Sequence, residues 1–450
     1  MQRLLVLLIP LVASLAWVVG HNPSTSKRFR RLPSSQTGIT FNNRIQESDS
    51  VNILRFEYLY NGGGVGIGDF NNDGWQDVFF TGNQVSSRLY LSKGKDEETP
   101  LHFEDVTESA GVTTHAWCTG VTIVDLNQDG WQDIYVSVAG YDKDTTKRAN
   151  LLFINQTKKK GDPVRFQEQA REYGLNDMGY TTQTAFFDYD HDGDLDAYVL
   201  TNALDRYNRN ALRPKMVNGE APSNDRLYRN MSAERAKERM SERANRNAKS
   251  LSHSFTPIRR SDSLFKNVTH EAGILTEGYG LGITIADLNG DGWEDVYCAN
   301  DFLSNDLVWI NNQDGTFTNR AADYLKHQSH NAMGVDIADI NNDLLPDIMV
   351  VDMLPNTNQR QKMMLPGYNY DRFRMDLQMG YQPQYMRNTL QLGVGQGAFS
   401  EISQLSGVDK TDWSWAPLLA DFTDYQWLSA RRNESGFYYV SGRFTCRRVW

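Results

Sequence analysis

A nine-residue string rich in Asp and Asn recurs along this chain of 450 residues and constrains its fold more than any other feature. Its starts are separated by 56, 63, 99 and 52 residues, so three intervals fit a unit of 52 to 63 residues and the longest contains an insertion. Such a period indicates one supersecondary unit copied along the chain. The copies are DFNNDGWQD from Asp69, DLNQDGWQD from Asp125, DYDHDGDLD from Asp188, DLNGDGWED from Asp287 and DINNDLLPD from Asp339.

The sequence around each copy repeats as well. An apolar run such as GVTIVD precedes the string, and a second such as IYVSVA follows it. A strand-like segment such as RLYLS from Arg88 comes next, and an element that opens with Phe, such as FEDVTESAGV from Phe103, closes the unit. Four short β-rich runs per unit, separated by turn residues, predict a four-stranded propeller blade. A parallel β-solenoid is the alternative fold, but units above 50 residues are long for its coils.

Composition agrees with a turn-rich β protein and narrows the class of function. The chain holds 35 Gly, 13 Pro, 20 Phe, 21 Tyr and 10 Trp. Its three Cys are an odd number that cannot form a disulfide framework. The net charge of −10 argues against a broad surface for nucleic acid or anionic membrane and favours cations as ligands.

The first twenty residues are the only membrane-like stretch of the sequence. Arg3 precedes an apolar run from Leu4 to Val19, and the small residues Val18 and Gly20 flank a cleavage position near His21. We interpret residues 1–20 as a secretory signal peptide followed by a linker over residues 21–36. An uncleaved anchor is the alternative, although a run of 16 residues is short for a membrane span. The protein is therefore expected to be exported, to the cell surface, the outer membrane or the extracellular space, with no span beyond the leader.

Residues 37–424 are expected to form the propeller, with two insertions. The insertion at about 203–262 is highly charged, so we expect an exposed helix or a disordered excursion, with nucleic-acid contact as the weaker interpretation. The insertion at about 352–387 holds six Met and several aromatic residues. It is expected to pack over one mouth of the propeller, and a partner surface is the alternative. Residues 425–450 resemble neither blade nor linker.

Each nine-residue string carries Asp or Asn at positions 1, 3, 5 and 9 and, in four copies, Gly at position 6. Alternating oxygen ligands on a tight loop converge on one point, which suits Ca²⁺ better than Mg²⁺, and no His or Cys stands at a ligand position to favour zinc. About five structural Ca²⁺ ions are expected, and solvated Asx turns are the alternative. The predicted ligands are Asp69, Asn71, Asp73, Asp77, Asp125, Asn127, Asp129, Asp133, Asp188, Asp190, Asp192, Asp196, Asp287, Asn289, Asp291, Asp295, Asp339, Asn341, Asp343 and Asp347.

The fifth string departs from the pattern, because Leu344 replaces the Gly and Pro346 occupies position 8, so weak binding is expected there. His191 stands at position 4 of the third string, where side chains point away from the ion. No set of residues suggests catalysis: the sequence lacks GxSxG and HExxH, and GVGQGA from Gly393 occupies a hairpin position with no helix pattern after it. We therefore expect no enzyme and no catalytic or organic-cofactor residues.

Three longer segments resemble the FG-GAP or VCBS repeat proteins, specifically bacterial members of the ASPIC/UnbV-associated group that includes the cartilage acidic protein. They are GVGIGDFNNDGWQDVFFTGN from Gly64, DMLPNTNQRQKMMLPGYNYDRF from Asp352, and the stretch from QYMRNTLQLGVGQGAFSEISQLSGV to TDWSWAPLLADF, which ends at Phe422. The resemblance covers roughly residues 38–422. It implies an exported, Ca²⁺-bound β-propeller akin to the integrin α-subunit head, used for binding or adhesion.

The sequence departs from this family at a sixth string. Asp421 begins one, but Thr423, Tyr425 and Ser429 stand where ligands are expected. Members of the family continue through more blades and a further domain, so we expect five to six blades of an incomplete seven and a truncated or shifted reading frame. TGITF from Thr37 is expected to be the tail of a first blade.

The sequence thus predicts an all-β fold, a β-propeller of four-stranded FG-GAP/VCBS blades. The expected function is calcium-stabilised binding or adhesion to an extracellular protein or glycan, without catalysis. A propeller-based enzyme of polysaccharide or glycoside turnover is the alternative, with its chemistry in the central channel.

Overall fold

A computed structural model describes residues 31–94, 101–142, 144–202, 213–234, 263–302, 304–364 and 370–420. Within these ranges the chain is almost entirely β, with five four-stranded antiparallel sheets in chain order. The predicted leader at 1–20, most of the insertion at 203–262 and the tail at 425–450 lie outside the described residues. In the part of the chain that is described, no helix is both long and apolar enough to span a bilayer.

The strands of each sheet follow one another along the chain. The first sheet holds β1 (Val65–Gly68), β2 (Asp77–Phe80), β3 (Arg88–Ser92) and β4 (Phe103–Asp105). The second holds β5 (Cys118–Val124), β6 (Asp133–Val138), β7 (Leu151–Asn155) and β8 (Phe166–Glu168). The third holds β9 (Thr181–Phe187), β10 (Asp196–Thr201), β11 (Arg226–Asn230) and β12 (Phe265–Asn267). The fourth holds β13 (Gly280–Ala286), β14 (Asp295–Asn300), β15 (Leu307–Asn311) and β16 (Phe317–Asn319).

The fifth sheet contains β18 (Gly334–Ala338), β19 (Asp347–Val351), β21 (Thr389–Gly395) and β22 (Ala398–Glu401). A separate parallel pair consists of β17 (Gln328–Ser329) and β20 (Gln384–Tyr385). β17 lies in the connection before β18, and β20 lies in the connection between β19 and β21, so the pair joins these two connections. The strand-like segments found in the sequence, such as RLYLS and LLFIN, coincide with the third strands.

Helices are short and lie outside the sheets. One-turn helices follow several fourth strands, and a longer pair lies before β20. The one-turn helices are α1 (Ser34–Thr37), α2 (Thr107–Ala110), α3 (Ala170–Tyr173), α4 (Ala321–Tyr324) and α7 (Ser403–Ser406); the longer pair is α5 (Asn358–Met364) and α6 (Tyr370–Gln378). A 3₁₀ turn spans Thr145–Arg148.

The first strands of successive sheets pack side by side. Glycines permit the close approach: a Cβ on Gly66 would lie 2.7 Å from Ile123 Cδ1 of the next first strand. Hydroxyl groups then bridge the strands, since Thr182 Oγ1 donates to the Gly280 carbonyl at 2.8 Å and Thr284 Oγ1 to the Val335 carbonyl at 3.3 Å. Sheets that share a row of first strands are arranged as the blades of a propeller. The predicted all-β propeller-like fold is confirmed, with five blades in the described residues.

The hydrophobic core lies between the blades. All six residues of β6 are buried, because this strand has a neighbouring blade on each face. Ile134 packs in a cluster with Phe79 of the first blade, whereas Tyr135 packs in another cluster with Phe186 of the third. Each blade is therefore held by both of its neighbours.

The amino-terminal segment lies on the first blade in the way that one-turn helices lie on the second and third blades. Gly38 ends α1 with φ +76°, and a Cβ there would lie 2.3 Å from the Phe103 carbonyl oxygen. Gly111 ends α2 in the same conformation and approaches the Phe166 carbonyl of the second blade. This contact is the one expected if TGITF is the tail of a preceding blade.

Two further segments bear on the sequence predictions. The Leu419 N–H donates to Asp336 Oδ2 at 2.7 Å, which places APLLA beside β18 where a sixth first strand is expected. By contrast, α5 and α6 contain no buried residue, and Met363 is 76% exposed. The expected packing of the insertion at about 352–387 as core over the propeller mouth is therefore wrong for these two helices, although Tyr381, which follows them, is buried.

Candidate cation-binding loops

The five Asp-rich strings form the loops between the first and second strands of the blades. In every blade the residue before position 1 pairs with the Asp at position 9, as Gly68 pairs with Asp77 and Val124 with Asp133. The common register means that the five loops lie at the same end of the blades. The structure thus gives each string the same place in its blade.

The first loop shows how the side chains are arranged. Asp69 accepts backbone hydrogen bonds from Asp73 N at 3.0 Å and from Gly74 N at 2.7 Å. Asn71 Oδ1 also accepts from Asp73 N, and Asp73 Oδ1 accepts from Trp75 N at 2.8 Å. The oxygens at positions 1, 3 and 5 therefore gather around one tight turn. The second, fourth and fifth loops repeat these bonds.

The Asp at position 9 has a structural role that the sequence did not suggest. Asp77 is fully buried, and its carboxylate accepts from Phe70 N at 3.0 Å within the loop and from Ser92 N at 2.8 Å at the end of β3. The carboxylate therefore ties the loop to the third strand. The equivalent residues Asp133, Asp196, Asp295 and Asp347 make the same pair of bonds.

Burial disfavours the charged form of these carboxylates. It raises the pKa of Asp77 to about 7, and it does the same for Asp133 and Asp295. The pKa of Asp196 in the third loop is raised further, to about 9, with burial again as the main cause. A carboxylate in such a place is stabilised in its charged form by a nearby cation.

The third loop differs from the others because Asp190 stands where they have Asn. Carboxylate oxygens of Asp188, Asp190 and Asp196 lie within 4.8 Å of one another, the one such triad in the described ranges. Asp190 Oδ1 is buried and accepts no hydrogen bond from the protein. Three converging carboxylates with an unbonded oxygen and no His or Cys ligand fit a hard cation such as Ca²⁺.

Arg229 supplies positive charge to this loop. Its Nε lies 2.7 Å from Asp190 Oδ2, and its Nη2 lies 3.8 Å from Asp192 Oδ2. Sequence reasoning missed this residue, although a signal was present: the third strands of the other blades carry Leu91, Ile154, Ile310 and Leu392 at the equivalent position. A basic residue at an otherwise apolar position accompanies the loop with the extra acid.

The fifth loop keeps the common geometry despite its departures in sequence. Leu344 N donates to Asp339 Oδ2 at 2.9 Å, as the glycine N–H does in the other loops. Leu344 adopts a φ of +69°, and this left-handed conformation is energetically unfavourable for a residue with a Cβ. The Leu344 side chain is 91% exposed. The substitution thus introduces strain at position 6 and leaves the hydrogen bonds of the loop in place.

Neighbouring loops also touch through the residue at position 4. Asn72 Nδ2 donates to the Gly130 carbonyl and Gln128 Nε2 to the Gly193 carbonyl, each at 3.0 Å. The His191 ring stacks on the Trp293 ring of the fourth loop with centroids 3.8 Å apart. Gly290 occupies this position in the fourth loop, and no heavy atom lies within 4 Å of a Cβ built there. The row of contacts therefore ends between the fourth and fifth loops.

A comparison with protein families agrees with this arrangement. A model described as the FG-GAP-like repeat matches residues 69–136 and 264–350. The chain contains FG-GAP-like repeats. The first matched region holds the first two loops and the second holds the last two, with the third loop between the regions. No curated protein matches the chain.

Proposed function

We propose that this chain is an exported, calcium-stabilised β-propeller that binds an extracellular protein or glycan and catalyses nothing. The observation that carries the proposal is the third loop, where three carboxylates converge and one buried oxygen lacks a hydrogen bond. Repeats of the FG-GAP type support a propeller used for binding or adhesion. The segments near Asp352 and Gln384 support the narrower placement in the ASPIC/UnbV-associated group.

In this proposal the calcium ions stabilise the fold. The buried Asp at position 9 connects each loop to the third strand of its blade, so a cation held by the same carboxylate would brace both strands. It would also lower the repulsion between acids packed in one loop. Ca²⁺ accepts six to eight oxygens, so backbone carbonyls and water would complete the shell of about four side chains per loop.

Calorimetry of the chelated protein tests the proposal. Calcium titration should release or absorb heat, and the melting temperature should rise, because a ligand at about 100 times its Kd stabilises the folded state by about 2.7 kcal/mol per site. Magnesium at the same concentration should raise it less. Neither heat nor a melting shift with calcium would overturn the proposal.

A matched pair of variants locates the binding. Replacing Asp190 and Asp192 by Ala removes two oxygens from the third loop and should reduce the number of bound ions by about one. Replacing the exposed Asp49 and Asp162 by Ala changes the net charge equally and should leave the stoichiometry unchanged. Equal losses in both variants would show that calcium screens the surface without occupying the loop.

The alternative function is an enzyme of glycan turnover. Such an enzyme needs a pair of acids, and one pair outside the loops lies close together. Asp301 and Asp352 lie near each other, since Asn331 donates to both, at 3.0 and 3.1 Å. Both carboxylates are buried, and Tyr58 Oη also donates to Asp301 Oδ2 at 2.6 Å. Covered and hydrogen-bonded acids suit a structural role better than catalysis. Turnover of any polysaccharide in an activity screen would reverse this preference.

A further inference from the structure

A cleft opens between the second and third blades, at the opposite end of the strands from the Asp-rich loops. Its walls come from three connections: the 3₁₀ turn before β7, the residues before β9, and the residues before β11. The cleft has a volume of about 520 Å³, within the range of pockets that bind small ligands. The side chains used in the argument are Arg148, Asp177, Met178, Tyr180, Pro222 and Arg226.

Arg148 is the unusual member of this cleft. It is only 2% exposed, and its Nε donates to the Gly179 carbonyl at 3.2 Å while its Nη1 donates to the Asp142 carbonyl. Its guanidinium carbon lies 4.1 Å from the centre of the Tyr180 ring. None of the described residues places a carboxylate within ion-pair distance of this guanidinium. The Asp142 carboxylate interacts electrostatically with Arg148 but is already paired with Lys147, so two cations share one acid where buried charges are normally paired one to one.

The second guanidinium of the cleft is already neutralised. Arg226 Nη1 lies 2.7 Å from Asp177 Oδ1, and the other oxygen of Asp177 accepts from Tyr228 Oη at 2.6 Å. At the rim, Lys147 pairs with Asp142 at 2.9 Å. The cleft therefore holds two guanidinium groups against one carboxylate, and its excess charge is that of Arg148.

Apart from the Thr145 side chain, the other walls are apolar. Met178 is 39% exposed, and Pro222 lines the cleft beside it. Both oxygens of Asp177, the carboxylate of the cleft, are already engaged, so few acceptors remain for a ligand that carries many hydroxyl groups. A ligand with one carboxylate on an apolar body matches these walls better than an acidic sugar does, and methionine adapts readily to such a body.

We propose that this cleft binds the carboxylate of an acidic peptide, from a Glu or Asp side chain flanked by apolar atoms, with Arg148 as the recognition residue. Guanidinium groups suit carboxylates because their N–H donors match the two oxygens. The proposal rests on the binding function proposed above and names the ligand class and its site.

The test uses the full chain in calcium, titrated calorimetrically with acetyl-Ala-Leu-Glu-amide and with its Gln analogue. The Glu peptide should bind at least tenfold more tightly than the Gln peptide, and more weakly as salt rises. Arg148→Gln should reduce the affinity at least tenfold, whereas Arg320→Gln, an exposed residue of the fourth blade with the same charge change, should have no effect. Because Arg148→Gln removes buried contacts, Met178→Asp serves as a second variant: it adds a negative charge at an exposed wall and should abolish binding.

Equal binding of the two peptides, or unaltered binding by Met178→Asp, would overturn the proposal. Tighter binding of glucuronate than of the Glu peptide would overturn the assignment to a peptide. The two proposals fail separately: peptide binding without any calcium heat or melting shift removes the calcium function alone, and calcium binding without a difference between the two peptides removes the cleft alone.

Discussion

One buried position, just before the third strand of a blade, is Asp in two blades and Asn in two others. Asp306 accepts from Asn300 N at 2.8 Å and from Tyr297 Oη at 2.7 Å. Asp225 makes the equivalent bonds in the third blade, whereas Asn150 in the second accepts from Val138 N and donates its Nδ2 to Tyr135 Oη. Burial raises the pKa of both Asp306 and Asp225 to about 7. An amide therefore satisfies the same site without a charge.

These two acids should make stability depend on pH. A carboxyl whose folded pKa is about 7 and whose unfolded pKa is near 3.8 stabilises the folded state fully below pH 4 and loses that contribution as pH rises through 7. The loss approaches about 1.4 kcal/mol per pH unit for one such group. Asp306→Asn should flatten the curve between pH 4 and 7, measured by denaturant unfolding.

The reverse change is the control. Asn150→Asp should add a slope of the same sign in the second blade, since the site is as buried and Val138 N donates to it, although Tyr135 Oη has to turn from the Leu175 carbonyl to donate to the new carboxylate. Parallel curves for the original protein and Asp306→Asn would show that Asp306 stays ionised when folded.

Leu344→Gly should stabilise the protein by about 1 kcal/mol. The substitution removes the cost of a left-handed Leu, and this gain exceeds the cost of the extra conformational entropy that Gly loses on folding. The leucine is almost fully exposed, so no packing is removed. Thermal unfolding measures the change. Leu405→Gly removes an equally exposed leucine from helix α7 and should destabilise, which separates relief of strain from loss of surface apolarity. A lower melting temperature for Leu344→Gly would contradict the strain.

At the scale of elements, the row of contacts between loops should contribute to stability. Asn72→Ala removes the hydrogen bond to the second loop and should cost about 1 kcal/mol more than Asn342→Ala. Asn342 has nearly the same left-handed φ, 61° against 54°, and no side-chain hydrogen bond in the described part of the chain, so it controls for the backbone cost. Denaturant unfolding of the two variants gives the difference, and equal costs would show that the contact contributes nothing.

Much of the blade architecture could be predicted because its signals are local. Third strands such as RLYLS and LVWIN begin and end where their apolar runs do, and the five Asp-rich strings all form the predicted type of loop. The fate of the Met-rich insertion could not be predicted in this way. An apolar composition says that a segment prefers burial, but not whether the fold places a surface next to it, and α5 and α6 remain exposed.

The cleft could not be predicted from the sequence for a different reason. Arg148 and Tyr180 lie in two connections and Arg226 begins β11, so the three residues are far apart along the chain. Only the packing of the second blade against the third brings them together, and no spacing records that. Position 9 of the loops shows an intermediate case: Asp77 was found as a candidate ligand, but its bond to Ser92 N needs the pairing of β2 with β3.

At the scale of the whole molecule, the amino-terminal segment should hold the first blade closed on its free face. Phe41 stacks on Phe80 with centroids 5.1 Å apart, and Asn43 Nδ2 donates to Asn83 Oδ1 at 2.6 Å. The segment thus covers a surface that each later blade presents to its neighbour. Its docking depends on the close approach of Gly38 to the Phe103 carbonyl.

Gly38→Ala should displace this segment and lower stability by at least about 2 kcal/mol, since the new Cβ meets a backbone oxygen and adopts a left-handed conformation. Gly62→Ala is the matched control: its φ is +81° but no heavy atom lies within 4 Å, so it pays the backbone cost alone. Limited proteolysis near Arg44 should be faster in Gly38→Ala than in Gly62→Ala. Equal rates would contradict the docking.

A single strand joins the peptide cleft to the most acidic loop. Tyr180 immediately precedes β9 and Asp188 immediately follows it. About 23 Å of extended chain therefore separates the cleft from the third Asp-rich loop. Hydrogen bonds to β10 and packing against β5 and β13 hold this strand in place. Substitutions in the cleft can consequently change the proposed peptide recognition without moving the carboxylates of the third loop, which lie a full strand away.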